Sequence, residues 1–371
     1  MVFFEILTRT RREQGLSCAG PSVVVGQQVR QKVPNRMSIF KNRAGLGLAR
    51  AMKALMHRVS SPELRRANRE LAALRAALAK KEAGDEDACV RPENVIWVLG
   101  SGRTGSSWLT FMMRELPDHT RWNEPRVGYL FGDLYYEVAR IRQDTKHFIL
   151  GNDYEEYWLN SIRSLVLNGA TARFPERIDN GYVVIKEPHG SIGAPLLMKA
   201  LPESRMIFLV RDPRDVAASA LDAHKKGSRP SKRRKRELPK QFAEITRADA
   251  RPDAFVKTRA VTYLRDIKLT KQAYEAHEGR KVLVRYEDLR ADTLGTMKRI
   301  YSTLEIPVDE RELVRAIEKH AWENIPEEEK GAGKIRRKAA PKGWRDDLTP
   351  EQVDIVERET VQILEQYYAG D

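Results

Sequence analysis

The segment VIWVLGSGRTGSSWLTFMM, residues 95–113, is the feature that most constrains the fold. A hydrophobic run from Val95 to Leu99 precedes a loop of small residues, Gly100 to Ser107, and the apolar stretch Trp108 to Met113 follows. This order predicts a buried strand, a tight loop and a helix. Such loops hold phosphate-like anions on backbone N–H groups at a helix N-terminus. The segment therefore predicts an α/β fold with an anion site after one of its strands.

The position of the cation in this loop bears on which anion the loop binds. A nucleotide-hydrolysing P-loop has lysine directly after its second conserved glycine. Here the loop reads Gly100-x-x-x-x-Gly105-Ser106-Ser107, so Ser106 occupies the lysine position and the cation is Arg103. At this point the loop is either a degenerate ATP site or an intact site for another anion.

Three further apolar runs resemble strands, and helical patterns separate them. The runs are YVVIK (182–186), RMIFLV (205–210) and KVLVRY (281–286). Strands alternating with helices are typical of a parallel sheet covered on both faces, here a P-loop-like three-layer sandwich with a central, mostly parallel sheet. Ligands of such sheets bind beyond the carboxyl ends of the strands. The candidate site residues are therefore those that directly follow the runs: Arg103 to Ser107, Glu187 to His189, Arg211 to Arg214 and Tyr286 to Asp288.

The chain before this domain has a different character. Residues 1–36 show no sustained period and are predicted to be disordered, or to precede a true start at Met37. Residues 37–90 are predicted to form a basic helical extension, and residues 91–371 the domain itself. Within the extension, 62–82 carries apolar residues at alternating spacings of 3 and 4, which is typical of a short coiled coil. It either packs on its own domain or forms a homodimer contact or a peripheral membrane helix.

The net charge of +14 is concentrated in two parts of the chain. Residues 1–90 hold 17 Lys or Arg against 8 Asp or Glu, and residues 225–240 hold 9 against one. Neither part has interleaved aromatic residues for base stacking, so the charge does not indicate nucleic-acid binding. Residues 37–60 and 225–240 are candidates for contact with an anionic membrane or an anionic acceptor, and 225–240 is equally well explained as a solvated loop.

Cysteine content and hydropathy bear on the compartment. The chain has only two cysteines, Cys18 and Cys89, which argues against a disulfide scaffold. No apolar stretch approaches the roughly 18 residues of a membrane helix. The N-terminus lacks the layout of a signal peptide. We expect a cytoplasmic protein. Peripheral contact of its basic segments with the inner face of the membrane is compatible with this expectation.

The loop and the residues after the later strands together resemble the sulfotransferases that use 3′-phosphoadenosine 5′-phosphosulfate (PAPS). In that family a loop with a cation, a glycine and two hydroxyl residues cradles the 5′-phosphosulfate, and Arg103-Thr104-Gly105-Ser106-Ser107-Trp108 matches it position by position. An arginine at a strand end and a serine eight residues later hold the 3′-phosphate there, and Arg211 and Ser219 have that spacing. Asp212 and Asp215 are expected to be structural groups at a helix start.

Two later motifs extend the resemblance over residues 95–368. Tyr286-Glu287-Asp288-Leu289 matches a stretch near the adenine, and Arg337, Lys338 and Trp344 resemble a late loop that closes on the nucleotide. Ala339 and Lys342-Gly343 depart from that last pattern. Trp108 either contacts the adenine or packs in the core. The residues that the resemblance assigns to PAPS binding are Arg103, Thr104, Gly105, Ser106, Ser107, Trp108, Arg211, Ser219, Tyr286, Arg337 and Lys338.

Transfer to a hydroxyl also needs a base. Glu124, 21 residues after Arg103, lies where tyrosylprotein and related carbohydrate sulfotransferases place a catalytic glutamate. His189 and Glu187 are rivals, because aryl and steroid sulfotransferases place a histidine after the corresponding strand. Arg103 is the predicted catalytic cation, since an arginine stays protonated and presents forked donors.

The resemblance implies an enzyme that moves a sulfuryl group from PAPS to a hydroxyl acceptor by in-line displacement, with adenosine 3′,5′-bisphosphate as product and no metal. The acceptor is a carbohydrate, a glycolipid or a small molecule such as a phenol; fold and donor site do not specify which. Two alternatives remain open: a P-loop kinase-like phosphotransferase, and a non-catalytic scaffold that retains the fold.

Overall fold

The computed structural model describes residues 89–141, 147–177, 181–225, 228, 248–331, 334, 338 and 340–370. Several predicted features lie outside these residues and stay predictions. They are the disorder of 1–36, the extension 37–90 except for its last two residues, its coiled coil 62–82, the basic run 225–240 except for Lys225 and Ser228, and Arg337.

A five-stranded parallel sheet organises the described domain, which confirms the predicted α/β sandwich. The strands are β1 (Val95–Gly100), β2 (His119–Asn123), β3 (Tyr182–Lys186), β4 (Arg205–Val210) and β5 (Lys281–Arg285). Their order in the sheet is β2-β3-β1-β4-β5, and each neighbouring pair is parallel. Because β1 is central, the loop that follows it emerges in the middle of the carboxyl edge.

The apolar runs of the central strands are continuous because both faces of the sheet are covered. In β1, Val95, Trp97 and Leu99 pack in the core on one face, whereas Ile96 and Val98 pack in the core on the other. The described helices that form the two outer layers are α1 (Ser106–Arg114), α2 (Val127–Ile141), α3 (Glu155–Arg173), α4 (Ala194–Ala200), α5 (Pro213–His224), α6 (Pro252–Ala276), α7 (Tyr286–Ala291), α8 (Thr293–Thr303), α9 (Glu310–Lys319), α10 (Trp344–Asp347) and α11 (Pro350–Tyr368).

Capping residues in the sequence mark the N-termini of two helices. Asp212 caps α5 by accepting the backbone N–H of Arg214 at 2.8 Å, with Pro213 at the first helical position. Thr349 and Gln352 form a capping box at the start of α11. None of the helices in the described residues is both long and apolar enough to cross a bilayer.

Strand β2 was not predicted from the sequence. Its residues, HTRWN, are mostly polar, and it lies at the edge of the sheet with only His119 fully buried. An edge strand with one covered face lacks the apolar run by which buried strands are recognised. Glu124, the predicted base, directly follows β2.

Candidate functional site

A cavity of about 270 Å³ opens at the carboxyl edge of the sheet, where the sequence places the candidate site. The predicted residues that line it are Arg103, Gly105, Ser106, Ser107, Trp108, Glu124, Arg211, Ser219, Tyr286 and Lys338. Thr104 does not line it: the side chain is buried, and its hydroxyl donates to the carbonyl oxygen of Ser101 at 2.8 Å. Thr104 therefore braces the loop, whereas the assigned role was contact with the ligand.

The loop between β1 and α1 has the backbone of an anion cradle. Arg103 and Gly105 have positive φ values of 75° and 90°. A Cβ on Gly105 would lie 2.5 Å from Cδ2 of Tyr286, so only glycine lets the loop pass this ring. Ser106 and Ser107 follow at the N-terminus of α1, where backbone N–H groups lack partners within the helix and attract negative charge. Both residues line the cavity.

Two arginines that follow different strands lie close together. Arg103 is in the loop after β1, and Arg211 comes directly after β4. Arg103 Nε donates to Ser219 Oγ at 3.0 Å, and Arg211 Nη1 donates to the carbonyl oxygen of Arg103 at 3.2 Å. The Arg211 guanidinium lies 4.2 Å from the centre of the Tyr286 ring. Within the described residues, the buried Nε of Arg211 has no hydrogen-bond partner. An unsatisfied buried donor is unfavourable, so this group is suited to an anionic ligand.

Aromatic side chains form a second wall of the cavity. Trp108 packs edge-on against Tyr286 with ring centres 6.2 Å apart, and its Nε1 donates to the carbonyl oxygen of His320 at 2.9 Å. The Arg290 guanidinium lies 5.2 Å from the Trp108 ring centre. Trp108 thus packs against the core and also lines the cavity, and its contact with the adenine stays a prediction.

Lys338 lies at the cavity edge and is exposed. Its Nζ is 3.0 Å from a carboxylate oxygen of Asp347 and 3.7 Å from one of Asp346. In this structure the ammonium is therefore held by acidic residues close to it in sequence.

Glu124 lies on the wall next to β3. Asn123 pairs with Lys186 in the β2–β3 register, so the two strands end side by side. The Glu124 N–H donates to the Lys186 carbonyl oxygen at 2.8 Å, and the Lys186 ammonium donates to Glu124 Oε1. Glu124 and Arg126 flank Pro125 with φ values of 51° and 65°. This tight turn directs the carboxylate into the cavity.

The charges around Glu124 keep it ionised. Burial by itself would raise the pKa of this carboxyl, but the attraction of Lys186 and then of His189 outweighs it and lowers the pKa below its usual value. Burial also lowers the pKa of the Lys186 ammonium. The arrangement is an ionised carboxylate with one buried cation beside it, able to accept a proton from a group in the cavity.

The two rival bases occupy different positions. Glu187 is 1% exposed, does not line the cavity, and accepts the Arg126 N–H on Oε2 at 2.9 Å. It therefore supports the turn that carries Glu124. His189 is exposed on the cavity wall, where a Cβ on Gly102 would lie 3.1 Å from its ring. His189 remains the rival to Glu124.

Replacing Glu187 by glutamine is expected to change the pH dependence of stability. Burial raises the pKa of Glu187 to about 7, above the ordinary value of 4.5 for a glutamate side chain. Between these values the folded protein binds more protons than the unfolded chain, so this group makes stability fall as pH rises. Glutamine has no proton to lose. The Tm of Glu187→Gln relative to wild type is expected to rise by a few degrees between pH 5 and 8.

Thermal melts followed by circular dichroism at pH 5, 6, 7 and 8 measure this difference. The exposed Glu365→Gln is the control and should show a constant Tm difference from wild type. A constant difference for Glu187→Gln as well would contradict the prediction.

Sequence reasoning missed three residues that shape the cavity. Lys186 is the last residue of an apolar strand, and only the register with β2 shows its partner. Arg290 reaches Trp108 from α7. Asp266, on α6, accepts the Ser101 hydroxyl at 3.2 Å, and burial raises its pKa to about 6. Among the described residues, no cluster of His, Cys, Asp and Glu could hold a metal ion.

The model of the sulfotransferase family matches residues 95–310, more than half of the chain. The chain is similar to the mouse sulfotransferase SULT7A1 complexed with PAP, with 15% identity over 76% of this chain and 87% of that one, at a TM-score of 0.44. It is also similar to sulfotransferase STF9 from Mycobacterium avium, with 15% identity over 79% and 81% of the two chains and a TM-score of 0.44. A sulfotransferase from Alicyclobacillus acidocaldarius is 14% identical over 73% of this chain and 95% of its own, with a TM-score of 0.35. No curated protein matches the sequence.

Proposed function

Because this chain belongs to the sulfotransferase family, we propose that it moves a sulfuryl group from PAPS to a hydroxyl group of an acceptor. One observation carries the proposal. The glycine loop, two arginines and an ionised glutamate, drawn from three different strand ends, line the same cavity. This combination provides anion binding at two points and a base within one site.

The cavity has groups that suit both ends of an adenosine 3′,5′-bisphosphate. Arg103 and the first turn of α1 would hold the 5′ end. Arg211, with its unsatisfied buried Nε, and Ser219 would hold the 3′-phosphate. The Arg103–Ser219 hydrogen bond joins one residue of each proposed subsite, which supports this assignment. Tyr286, beneath the Arg211 guanidinium, and Trp108 offer apolar surface between them.

The proposed reaction uses two residues directly. Glu124 removes the proton of the acceptor hydroxyl as the acceptor oxygen forms a bond to sulfur. The bond between sulfur and the oxygen of the 5′-phosphate breaks at the same time. Arg103 and the loop N–H groups stabilise the negative charge that develops on that oxygen. Lys186 holds the Glu124 carboxylate in place, and the products are a sulfate ester and adenosine 3′,5′-bisphosphate.

The family implies an acceptor with a hydroxyl group. A carbohydrate, a glycolipid and a phenol or other small molecule all present one. The polar wall formed by Glu124, Lys186 and His189 is compatible with each of them. The proposal therefore specifies the bond that forms and leaves the acceptor to be identified by screening with labelled PAPS.

Calorimetric titration of the full chain tests the donor site. We expect adenosine 3′,5′-bisphosphate to bind without metal and about 10- to 100-fold more tightly than 5′-AMP, because the 3′-phosphate adds charge-assisted hydrogen bonds. ATP with Mg²⁺ is the third ligand. Tighter binding of Mg²⁺–ATP would refute the proposal and favour the kinase-like alternative, and binding of none of the three would favour a scaffold.

A further inference from the structure

One buried carboxylate connects the predicted 3′-phosphate subsite with the late loop. We call residues 340–344 the strap. Asp215, in the first turn of α5, is 0% exposed. Its Oδ2 accepts the N–H of Lys342 and its Oδ1 the N–H of Trp344, each at 2.9 Å. A single side chain thus holds two backbone groups of the strap.

The same carboxylate faces the arginine of the cavity. Asp215 Oδ2 lies 3.6 Å from Arg211 Nη2, one helical turn earlier in the chain. Arg211 lines the cavity and Asp215 does not. Asp215 therefore cannot contact a ligand there directly, and any effect it has on binding passes through Arg211 or the strap.

A second contact fixes the strap against α5. The Arg214 guanidinium lies 4.3 Å from the centre of the Trp344 ring and pairs with Asp212 at 2.8 Å. The strap is consequently attached to the first turn of α5 by its backbone and by Trp344. Lys338, two positions before the strap in the sequence, lies at the cavity edge.

We propose that Asp215 is a positioning residue that couples occupation of Arg211 by the donor's 3′-phosphate to the placement of the strap over the cavity. This inference rests on the proposed function, because it takes Arg211 as the ligand of that phosphate. Asp215 orients the Arg211 guanidinium through their ion pair, and it holds the strap through two backbone N–H groups. Both elements then respond to the same carboxylate.

The substitution Asp215→Asn disturbs both of these tasks at nearly constant side-chain size. The amide has one oxygen acceptor, and its NH₂ group would face an N–H of the strap or the Arg211 guanidinium. One strap hydrogen bond is lost, and the guanidinium loses its counter-charge. We expect binding of adenosine 3′,5′-bisphosphate to weaken about 10- to 100-fold and that of 5′-AMP to change less than about threefold, since the latter has no 3′-phosphate.

Calorimetry with the two nucleotides on the full chain tests this, with Asp354→Asn as control, an exposed aspartate of α11 that pairs only with Arg358 among the ion pairs of the described residues. The selectivity for the bisphosphate is expected to fall about tenfold in Asp215→Asn and to stay unchanged in the control. In steady-state assays the KM for PAPS should rise more than kcat falls. A variant with wild-type selectivity overturns the inference, whereas a wild type that does not bind the bisphosphate overturns the proposed function.

Hydrogen exchange of the wild type provides a test that does not depend on a variant folding. Adenosine 3′,5′-bisphosphate is expected to slow exchange of the Lys342 and Trp344 amides, and 5′-AMP to slow it much less. Equal protection by both nucleotides, or none by either while the bisphosphate binds, would overturn the coupling.

Discussion

Glu124→Gln is expected to lower kcat for sulfuryl transfer by about 10²- to 10⁴-fold, the usual contribution of a general base. Glutamine has nearly the same shape and keeps an oxygen for the Lys186 ammonium, but it cannot accept the acceptor's proton. Binding of adenosine 3′,5′-bisphosphate should stay within about twofold of wild type, because Glu124 is not among the groups proposed to hold the two phosphates. Single-turnover rates with labelled PAPS and calorimetry measure the two effects.

The matched variant is His189→Ala, which removes the rival base. If His189 took the proton, its loss would have the larger effect on rate, and Glu124→Gln would remain active. The pH profile gives a second criterion. Because the pKa of Glu124 is lowered, the basic form persists through the neutral range, and kcat/KM should stay level from about pH 5 upward. With a histidine base, kcat/KM would instead fall as the pH drops below about 6.5.

Arg103→Ala is expected to lower kcat by about 10²- to 10³-fold, the effect of removing one strong donor from a developing anion. Arg103→Lys keeps a positive charge but loses the forked donor set and the Nε–Ser219 hydrogen bond, so it should recover only part of the rate. Arg and Ala both bear a Cβ, so the positive φ of position 103 disfavours the two residues alike.

Arg315→Ala is the control for this series, since Arg315 is an exposed arginine of α9, 72% accessible in its side chain. Rates come from transfer of labelled sulfate, and folding is checked by the melting transition. An Arg103→Ala variant with the wild-type kcat and only a raised KM would show that Arg103 binds the ground state alone, and the catalytic role would be wrong.

The sequence determined those parts of the structure that depend on residues next to one another in the chain. The run Val95 to Leu99, the small-residue loop and the apolar stretch after it are one local unit, and β3 and β4 have the bounds that their apolar runs predict. Buried parallel strands leave that signal because both of their faces are covered. Since parallel strands end at one edge, the sequence also placed Arg103, Arg211 and Tyr286 in one site.

Tertiary structure decided which side chains act on one another. Edge strand β2 leaves little apolar signal, and its register with β3 gives Glu124 the Lys186 partner that lowers its pKa. Glu187 and His189 are two residues apart, yet burial places the first behind the turn and the second on the cavity wall. The contact of Asp215 with Trp344 spans 129 positions. Such contacts depend on how distant elements pack, and no local pattern of residues encodes them.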